Sequence, residues 1–565
     1  NTCRLSFFFI ALPAITKFLL GIFHLSGSRI GHPHLSFRHA IHHHKMLLIP
    51  MYNTPLQFFK ELIDCVQAQT YSNWELCLAD GTGSVSEAGE YAVQCMAKDS
   101  RIVYKMLDSN DGISENTNRA LEMATGEFIA LMDHDDVITP DALYHLVKAV
   151  NEDAMADSVY SDEDKMDMDG RKLFEPHFKP DFNIDYLRSC NYICHMFMTR
   201  ASIAREVGGF RKPFDGAQDF DFIFRCTEKS RHVAHVPRVI YHWRCHVNST
   251  AAVPESKMYA YHAGVKSINE HCQRAGIPMT GELGTSYGYY RDVPVLDRKP
   301  SVDIIIHGDA AKAEQCIRCT KKLTYNNLGV MMCGGDSASV NRAVASAAAD
   351  YVLLLDSRIT SLSEDLVEQL MGYVQRKDVA MAAARTSNLE DKIYHAFLVM
   401  GIDKSFGYAF HQLDKGNNGY FMRINAPQDV SGVDITCTLI RRADYMAAGQ
   451  LDESMPAEYA AADLCLKVAQ LNDEGSRDSR ADEGEDAKTP QMWRDMHKIV
   501  YVPYAEAVIN ASVEPEWHID EEDEKFNKKW SSVLRQTDRY YNRNLTKRDT
   551  NFTILSSMEL KNEDL

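Results

Sequence analysis

The sequence predicts an α/β protein built as two copies of one domain, each with a mainly parallel central sheet between layers of helices. Three observations carry this expectation. From Lys45 onward, short apolar runs alternate with stretches of helical periodicity, the pattern of strands joined by helical crossovers. The second half repeats motifs of the first in the same order. Two of the apolar runs in the first half end in aspartates, and open α/β sheets bind ligands beyond the carboxyl ends of their strands.

The elements follow in order. "KMLLIPMY", starting at Lys45, reads as a buried strand ending at Pro50, and "TPLQFFKELIDCVQAQT" as a helix with Pro55 near its start, where a missing amide is tolerated. "WELCLAD" is the second strand, ending at Asp80, and "SEAGEYAVQCMAKD" the second helix. "IVYKML", "SENTNRALEMAT" and "FIALMD" are the third strand, the third helix and the fourth strand. No G-x-G-x-x-G follows the first strand, which argues against dinucleotide binding.

The repeat is read from three pairs of segments. "TYSNWELCLADG" (Thr70–Gly81) matches "TYNNLGVMMCGG" (Thr324–Gly335), "NRALEMATGEFIALMD" matches "NRAVASAAADYVLLLD", and "VAHVPRVIY" matches "IVYVPYAEA". Asn118 and Asp133 have the same spacing as Asn341 and Asp356. The expected division is an N-terminal segment 1–44, a first copy 45–298, a second copy 299–545 and a tail 546–565, with the join near "VPVLDRKPS". The acidic run "NDEGSRDSRADEGEDAKT" (Asn472–Thr489) is expected to be a solvated loop without chemistry.

Composition sets outer bounds. A chain of 565 residues is too long for one ordinary core. A net charge of −18 without a long basic run argues against a nucleic-acid partner, though not against a small phosphorylated ligand held through a metal. The 14 cysteines are scattered, several inside apolar runs such as Cys77 in "WELCLAD". They read as reduced thiols of a cytoplasmic protein, and the single CxxC at Cys316 and Cys319, lacking a second pair, as weak support for zinc. "LSFFFIALPAITKFLLGIFHL", Leu5 to Leu25, approaches the length of about 20 apolar residues that a spanning helix needs. Lys17 and Pro13 weaken that reading, a central Lys alone costing ~3 kcal/mol. A membrane anchor, a signal-like segment and mis-assigned upstream sequence compete here, the last favoured because the His-rich stretch to His44 has no element pattern.

The acids carry the chemistry. In "GEFIALMDHDDVITPDAL", Asp133 and Asp135 stand two apart at an expected strand end, and such residues in extended chain point the same way. Two carboxylates forced together repel unless a cation lies between them, and Mg²⁺ or Mn²⁺ takes oxygen ligands while leaving positions for phosphate. The bland alternative is a helix cap, with Asp136 or Thr139 capping a helix that starts at Pro140. A cap accounts for one polar residue, not for the cluster.

Taken together, "LLIPMYNTP", "AQTYSNWELCLADG", "NDGISENTNRAL", "TGEFIALMDHDD", "YSDEDK", "FKPDFN", "EVGGFR", "GAQDFDFIFRC" and "YHWRCHVNSTA", spread over roughly Met46 to Ala252, resemble glycosyltransferase family 2, above all its bacterial O-antigen and capsule enzymes. That resemblance implies the GT-A fold, a nucleotide-diphospho-sugar transferase architecture of Rossmann-like type, here in two tandem copies. It implies that Pro50, Tyr52 and Asn53 wall the nucleotide pocket, that Asp80 accepts a hydrogen bond from the base, and that Asn110, Gly112, Ile113, Asn118 and His134 belong to the nucleotide-sugar side. Asp133 and Asp135 resemble the metal-binding DxD, with Mn²⁺ or Mg²⁺ as the cofactor. Asp219 matches the second acid of the family's ED pair, the general base, with Gln218 in place of the usual Glu. Asp221 is the alternative base, and its bland reading is charge in a first helical turn. His246 sits where many members place a third metal or diphosphate contact, with His242 competing. The implied activity is inverting transfer from a nucleoside-diphosphate sugar to a glycan or lipid-linked saccharide, in the cytoplasm or peripherally at the inner membrane face.

The second copy departs from this pattern. Asp356 keeps the place of Asp133, but Arg358 replaces Asp135, Ala461 stands at Asp219, Asp463 at Asp221, Val508 and Ser512 at the two histidines, and the "GG" at Gly334–Gly335 replaces Asp80. A carboxylate beside a guanidinium predicts an ion pair, so this copy is expected to lack metal chemistry and to bind an acceptor glycan, support the first copy or mediate assembly, with a metal-independent transferase as the alternative. A transferase and a non-catalytic glycan-binding scaffold remain the two contending readings. A nucleotidyltransferase is weaker, since "PMYNTP" is no Gly-rich basic loop, as is a processive membrane synthase, since no channel-forming helices follow.

Overall fold

The computed structural model describes residues 45–245, 258–402, 404–478, 497–511, 518–556 and 559. The apolar N-terminal segment, His246 and Ser512 lie outside these residues. Among the described residues no helix is long and apolar enough to cross a membrane.

The first half forms one mixed sheet from β1 (Lys45–Met51), β2 (Trp74–Asp80), β3 (Ile102–Met106), β4 (Phe128–Leu131), β5 (Val137–Ile138), β6 (Ala156–Met166), β7 (Leu173–His177), β8 (Phe197–Arg200) and β9 (His232–Arg244). Its order is β3-β2-β1-β4-β8-β6-β9-β5, with β7 beside β6. The first four strands in space are parallel, as expected for strands joined by helices. The expectation of a mainly parallel sheet holds there and yields beyond it: β8 runs antiparallel between β4 and β6, and β5 and β7 are antiparallel edges.

Local sequence accounts for the layers. β1 is buried along almost its whole length, as a strand covered on both faces must be. The helix Leu56–Gln67 buries Phe59, Leu62, Ile63 and Val66 on one stripe, each side chain worth roughly 1.5–3 kcal/mol on burial. Ser86 caps the helix Glu87–Lys98, accepting from the Gly89 amide at 3.0 Å. The helix Ile113–Met123 is fixed by Asn118, whose amide donates to the Phe210 carbonyl at 2.9 Å and accepts from the Phe210 N–H at 2.8 Å.

A hairpin of β10 (Met279–Leu283) and β11 (Tyr290–Pro294) precedes the second half. There the strands are β12 (Val302–His307), β13 (Leu328–Cys333), β14 (Tyr351–Asp356), β15 (Ile359–Leu362), β16 (Val379–Asn388), β17 (Ile393–His395), β18 (Leu398–Met400), β19 (Phe406–Tyr408), β20 (Gln428–Asp429), β21 (Cys437–Arg441) and β22 (Lys498–Ile509). The larger sheet has the order β13-β12-β14-β21-β16-β22-β15, with β17 beside β16. Strand for strand this is the first order without a partner for β3. Asn341 repeats the bridge of Asn118, donating to the Leu451 carbonyl at 3.0 Å and accepting from the Leu451 N–H at 3.1 Å.

Three boundaries differ from expectation. The helix after the acid cluster starts at Ala142, not Pro140, with Asp141 at its N-cap position, and neither Asp136 nor Thr139 caps it. The acidic run is not loop throughout, because the helix Ala457–Asp478 continues into it; 479–496 lie outside the described residues. The described part of the chain after 545 packs on the second half: Leu545 and Ile554 form a β-bridge, and Phe552 is buried against Phe410 and Tyr541.

The halves share an apolar core in which Phe220 and Ile268 join Leu370 and Tyr373. Buried charge crosses the seam as well. Arg376 pairs with Asp185 at 2.5 Å and Asp378 at 2.6 Å, while Arg188 pairs with Asp185 and, at 2.7 Å, with Asp292. Asn542 reaches back from near the C-terminal end to donate to Asp162 and to the Lys179 carbonyl, both at 2.9 Å.

Candidate active site

The acid cluster is a turn rather than strand. β4 stops at Leu131, and the Asp136 amide donates back to the Asp133 carbonyl at 3.4 Å. Asp133 and Asp135 therefore do not stand as alternate residues of a strand, though the charges of both act on Asp136. The turn instead brings Asp133 and Asp136 together with His195, their potential ligand atoms all within 4.8 Å of one another. His195 Nε2 lies 3.7 Å from Asp133 Oδ2, and its Nδ1 is buried without a hydrogen-bond partner. Among the described residues this is the one group of three such side chains fit for a metal ion.

Arg244 locks the turn. Its backbone N–H donates to Asp136 Oδ1 at 2.7 Å, its Nε to the Asp135 carbonyl at 2.6 Å, and its Nη1 to the Met168 carbonyl at 2.8 Å. Tyr241 donates to Asp136 and stacks on the His195 ring, centroids 4.6 Å apart. Burial, reinforced by the charges of Asp133 and Asp135, pushes the Asp136 carboxyl well above the usual range. A buried acid crowded by two others is a site that a divalent cation would relieve. Two carboxylates and an imidazole form a donor set that could hold a divalent metal ion.

Asp219 lies in the first turn of the helix Gln218–Thr227, and Asn191 donates to its Oδ2 at 2.8 Å. Burial raises its carboxyl, while His195 draws it down and Asp133 pushes it up. The charges of the acid cluster therefore act directly on Asp219. Asp221 is different. Arg211 pairs with it, and Arg225 binds it through Nε at 2.9 Å and Nη2 at 2.7 Å. A buried carboxylate held by two guanidiniums is poorly placed to take a proton. Asp463 in the second half repeats the bond one helical turn on, pairing with Lys467 at 2.9 Å as Asp221 pairs with Arg225.

The remaining expected residues divide. Asp80 ends β2, but its carboxylate is buried, accepting from the Thr82 amide at 2.9 Å and Tyr104 hydroxyl at 3.0 Å, so it orders the turn instead of facing solvent. Thr82 Oγ1 in turn accepts from the Asn53 amide at 3.1 Å, and Tyr52 beside it is 48% exposed. His134 Nδ1 is 3.3 Å from the Pro50 carbonyl, joining the acid turn to the end of β1. Asn110 accepts from the Gly112 amide at 3.2 Å and from Asn116 Nδ2 at 2.9 Å. Gly112 has φ 102°, and a Cβ there would sit 2.7 Å from Asp215 Oδ2. Ile113, 39% exposed, opens the helix that follows. Asn118 is engaged in its structural bridge. His242 Nδ1 pairs with Asp164 at 2.5 Å and is not part of the Asp133–Asp136–His195 group.

Sequence reasoning missed His195, Asn191, Arg244 and Asp215. His195 and Asn191 both fall in "CNYICHMF", where polar residues interrupt an apolar run just before β8. That interruption was the available signal.

Beside Asp219 opens a cleft of about 310 Å³, its walls including Asp164, Asn191, Trp243, Tyr261 and Tyr289. The second half has a smaller cleft of about 240 Å³ at the equivalent end of its sheet. There Arg358 forms the expected ion pair, Nη2 2.7 Å from Asp356 Oδ2. Burial pushes the Asp356 carboxyl up, but Arg358 overrides it and holds the group below the usual range. Cys316 and Cys319 lie on one buried helical face, the Cys316 thiol pushed up to about 12 by burial and Cys319 donating to the Thr360 carbonyl at 3.1 Å. They read as core thiols, not zinc ligands.

Residues 46–208 match the family model described as Glycosyl transferase family 2. Among curated relatives, it is 33% identical over 466 residues to the uncharacterized protein y4gI of Sinorhizobium fredii, covering 75% of this chain and 50% of that one. It is 24% identical over 467 residues to the O-antigen biosynthesis protein RfbC of Myxococcus xanthus, covering 76% of this chain and 36% of that protein. The chain thus spans half or less of these relatives' length. Among solved structures, Staphylococcus aureus TarS 1–349 in complex with UDP-GlcNAc overlaps 40% of this chain and 66% of its own, at 18% identity and a TM-score of 0.33.

Proposed function

We propose that the first half is a metal-dependent, inverting glycosyltransferase that moves a sugar from a nucleoside-diphosphate sugar to a hydroxyl of a glycan or lipid-linked saccharide. The observation that carries this reading is the meeting of Asp133, Asp136 and His195 within one ligand-sized space, near half-buried Asp219. The name of the Myxococcus relative supports bacterial surface polysaccharide as the setting, and in this reading donor and acceptor meet at the cytoplasmic face of the membrane.

Asp133, Asp136 and His195 would hold Mn²⁺ or Mg²⁺, with Asp135 near by. The bound ion would neutralise the diphosphate as it departs. Asp219 takes the proton of the acceptor hydroxyl while that oxygen forms its bond to the anomeric carbon and the bond to the diphosphate oxygen breaks. Attack opposite the leaving group inverts the anomeric centre. Asn191 holds the Asp219 carboxylate in place through its amide. The raised carboxyl of Asp219 suits a base, whose efficiency is best near the working pH. Asp221, fixed by Arg211 and Arg225, serves the fold.

We further propose that the chain is two GT-A domains in tandem, with the join between the hairpin and β12. The shared strand order and the paired asparagine bridges support this. The second domain lacks metal chemistry in this reading, because Arg358 occupies the charge that a cation would neutralise.

The test is a screen of nucleotide sugars for nucleoside-diphosphate release with and without Mn²⁺. Release that requires the ion and disappears in Asp133→Ala supports the proposal. No release from any donor, or release indifferent to both ion and substitution, favours a non-catalytic scaffold.

A further inference from the structure

The cleft beside Asp219 is not made by the first half alone. One wall is Phe421, on a turn of the second half. We propose that Phe421 is part of the acceptor-binding surface, that the second half thereby completes the catalytic cleft, and that the acceptor it receives is a neutral saccharide. This rests on the transferase reading of the first half.

The turn is built with unusual constraint. Phe421 and Met422 have φ of 46° and 63°, left-handed conformations that side chains with a Cβ disfavour, and Gly419 has φ 66°. A Cβ on Gly419 would lie 2.8 Å from Ile424 Cγ1, so only glycine fits. Three bonds to the first half hold the turn. The Tyr420 hydroxyl donates to the Pro176 carbonyl at 2.6 Å and accepts from the Phe178 amide at 2.9 Å, and the Tyr186 hydroxyl donates to the Phe421 carbonyl at 2.7 Å. Tyr420 thus does the docking, and the Phe421 ring is left to line the cleft. It stacks on the His177 ring, centroids 3.7 Å apart and planes 5° from parallel. Backbone held in a disfavoured region by several partners tends to mark a site where geometry serves function.

The chemistry of the cleft selects the ligand class. Trp243, Tyr261, Tyr289 and Phe421 offer flat apolar faces, against which the C–H face of a sugar ring packs. Glu163, Asp164, Glu175 and Asp219 offer acceptors for its hydroxyls. Of the lining charges, Lys165 is the one Lys or Arg and is already paired with Glu175 at 2.6 Å, so the remaining carboxylates disfavour an anionic sugar, and burial works against a charge on His177. A neutral saccharide meets both conditions.

The experiment compares wild type with Phe421→Ala, Phe421→Leu and Phe421→Trp. In transfer assays, Phe421→Ala is expected to raise the acceptor KM about tenfold without moving the donor KM, and Phe421→Trp to restore it. Phe421→Leu keeps apolar packing without the flat face, so it should show the acceptor defect even if Phe421→Ala folds poorly; thermal unfolding reports folding in each case. An unchanged acceptor KM in both, or parallel movement of donor and acceptor KM, overturns the proposal. Should wild type transfer no sugar, the transferase reading fails by itself. Saturation-transfer NMR with lactose, cellobiose and N,N′-diacetylchitobiose then decides the inference separately. Signal in wild type that is lost in Phe421→Leu supports it, and no signal from any of the three overturns it.

Discussion

At the level of single residues, the two aspartates of "QDFD" have separate fates. Asp219 is half-buried with one amide donor and a raised carboxyl, whereas Asp221 is buried between two guanidiniums. Asp219→Asn should therefore lower kcat by ~10²–10⁴ while leaving thermal unfolding nearly unchanged. Asp221→Asn strips the partner from two arginines in a buried site and should cost roughly 3–5 kcal/mol of stability, read by urea unfolding. The reverse pattern would make Asp221 the base. The pH profile gives a second reading of the same assignment. A base must be deprotonated, so a raised pKa moves the acid limb of kcat/KM upward: activity should fall on acidification from above the usual carboxylate range, not near pH 4 as for an exposed Asp.

The level of elements shows why the sequence predicted some features and not others. Strands β1 to β4 and their helices were legible because period and turn chemistry agree over short spans; "WELCLAD" is β2 residue for residue. The end of β4 was not, because "FIALMD" is apolar through Met132 and nothing local marks the turn that starts at Asp133. That boundary shaped the site: the turn brings Asp133 and Asp136 together with His195 from the loop just before β8. A contact made across strands has no sequence spacing to announce it. Asn118, expected on the nucleotide side from resemblance, proves to be a bridge between a helix and the loop before Phe210, and Asn341 repeats it. Asn118→Ala and Asn341→Ala should each destabilise by about 1–3 kcal/mol, since each leaves a buried N–H and C=O unpaired. Chemical denaturation checks this, and a loss confined to one of the two would contradict their equivalence.

At the scale of the whole molecule, two sheets of the same strand order, apart from the extra edge strand β3 of the first, sit on a seam of buried ion pairs, with the C-terminal segment reaching back to Asp162. The chemistry is unequal between them. The front acids are crowded, with the charges of Asp133 and Asp135 acting on buried Asp136, whereas the rear acid is paired with Arg358. The most direct test is the number of Mn²⁺ ions bound per chain in the presence of a nucleoside diphosphate, measured by titration calorimetry with electron paramagnetic resonance. One ion is predicted, lost in Asp133→Ala and kept in Asp356→Ala. Two ions, or a single ion that survives Asp133→Ala and vanishes in Asp356→Ala, would contradict the account.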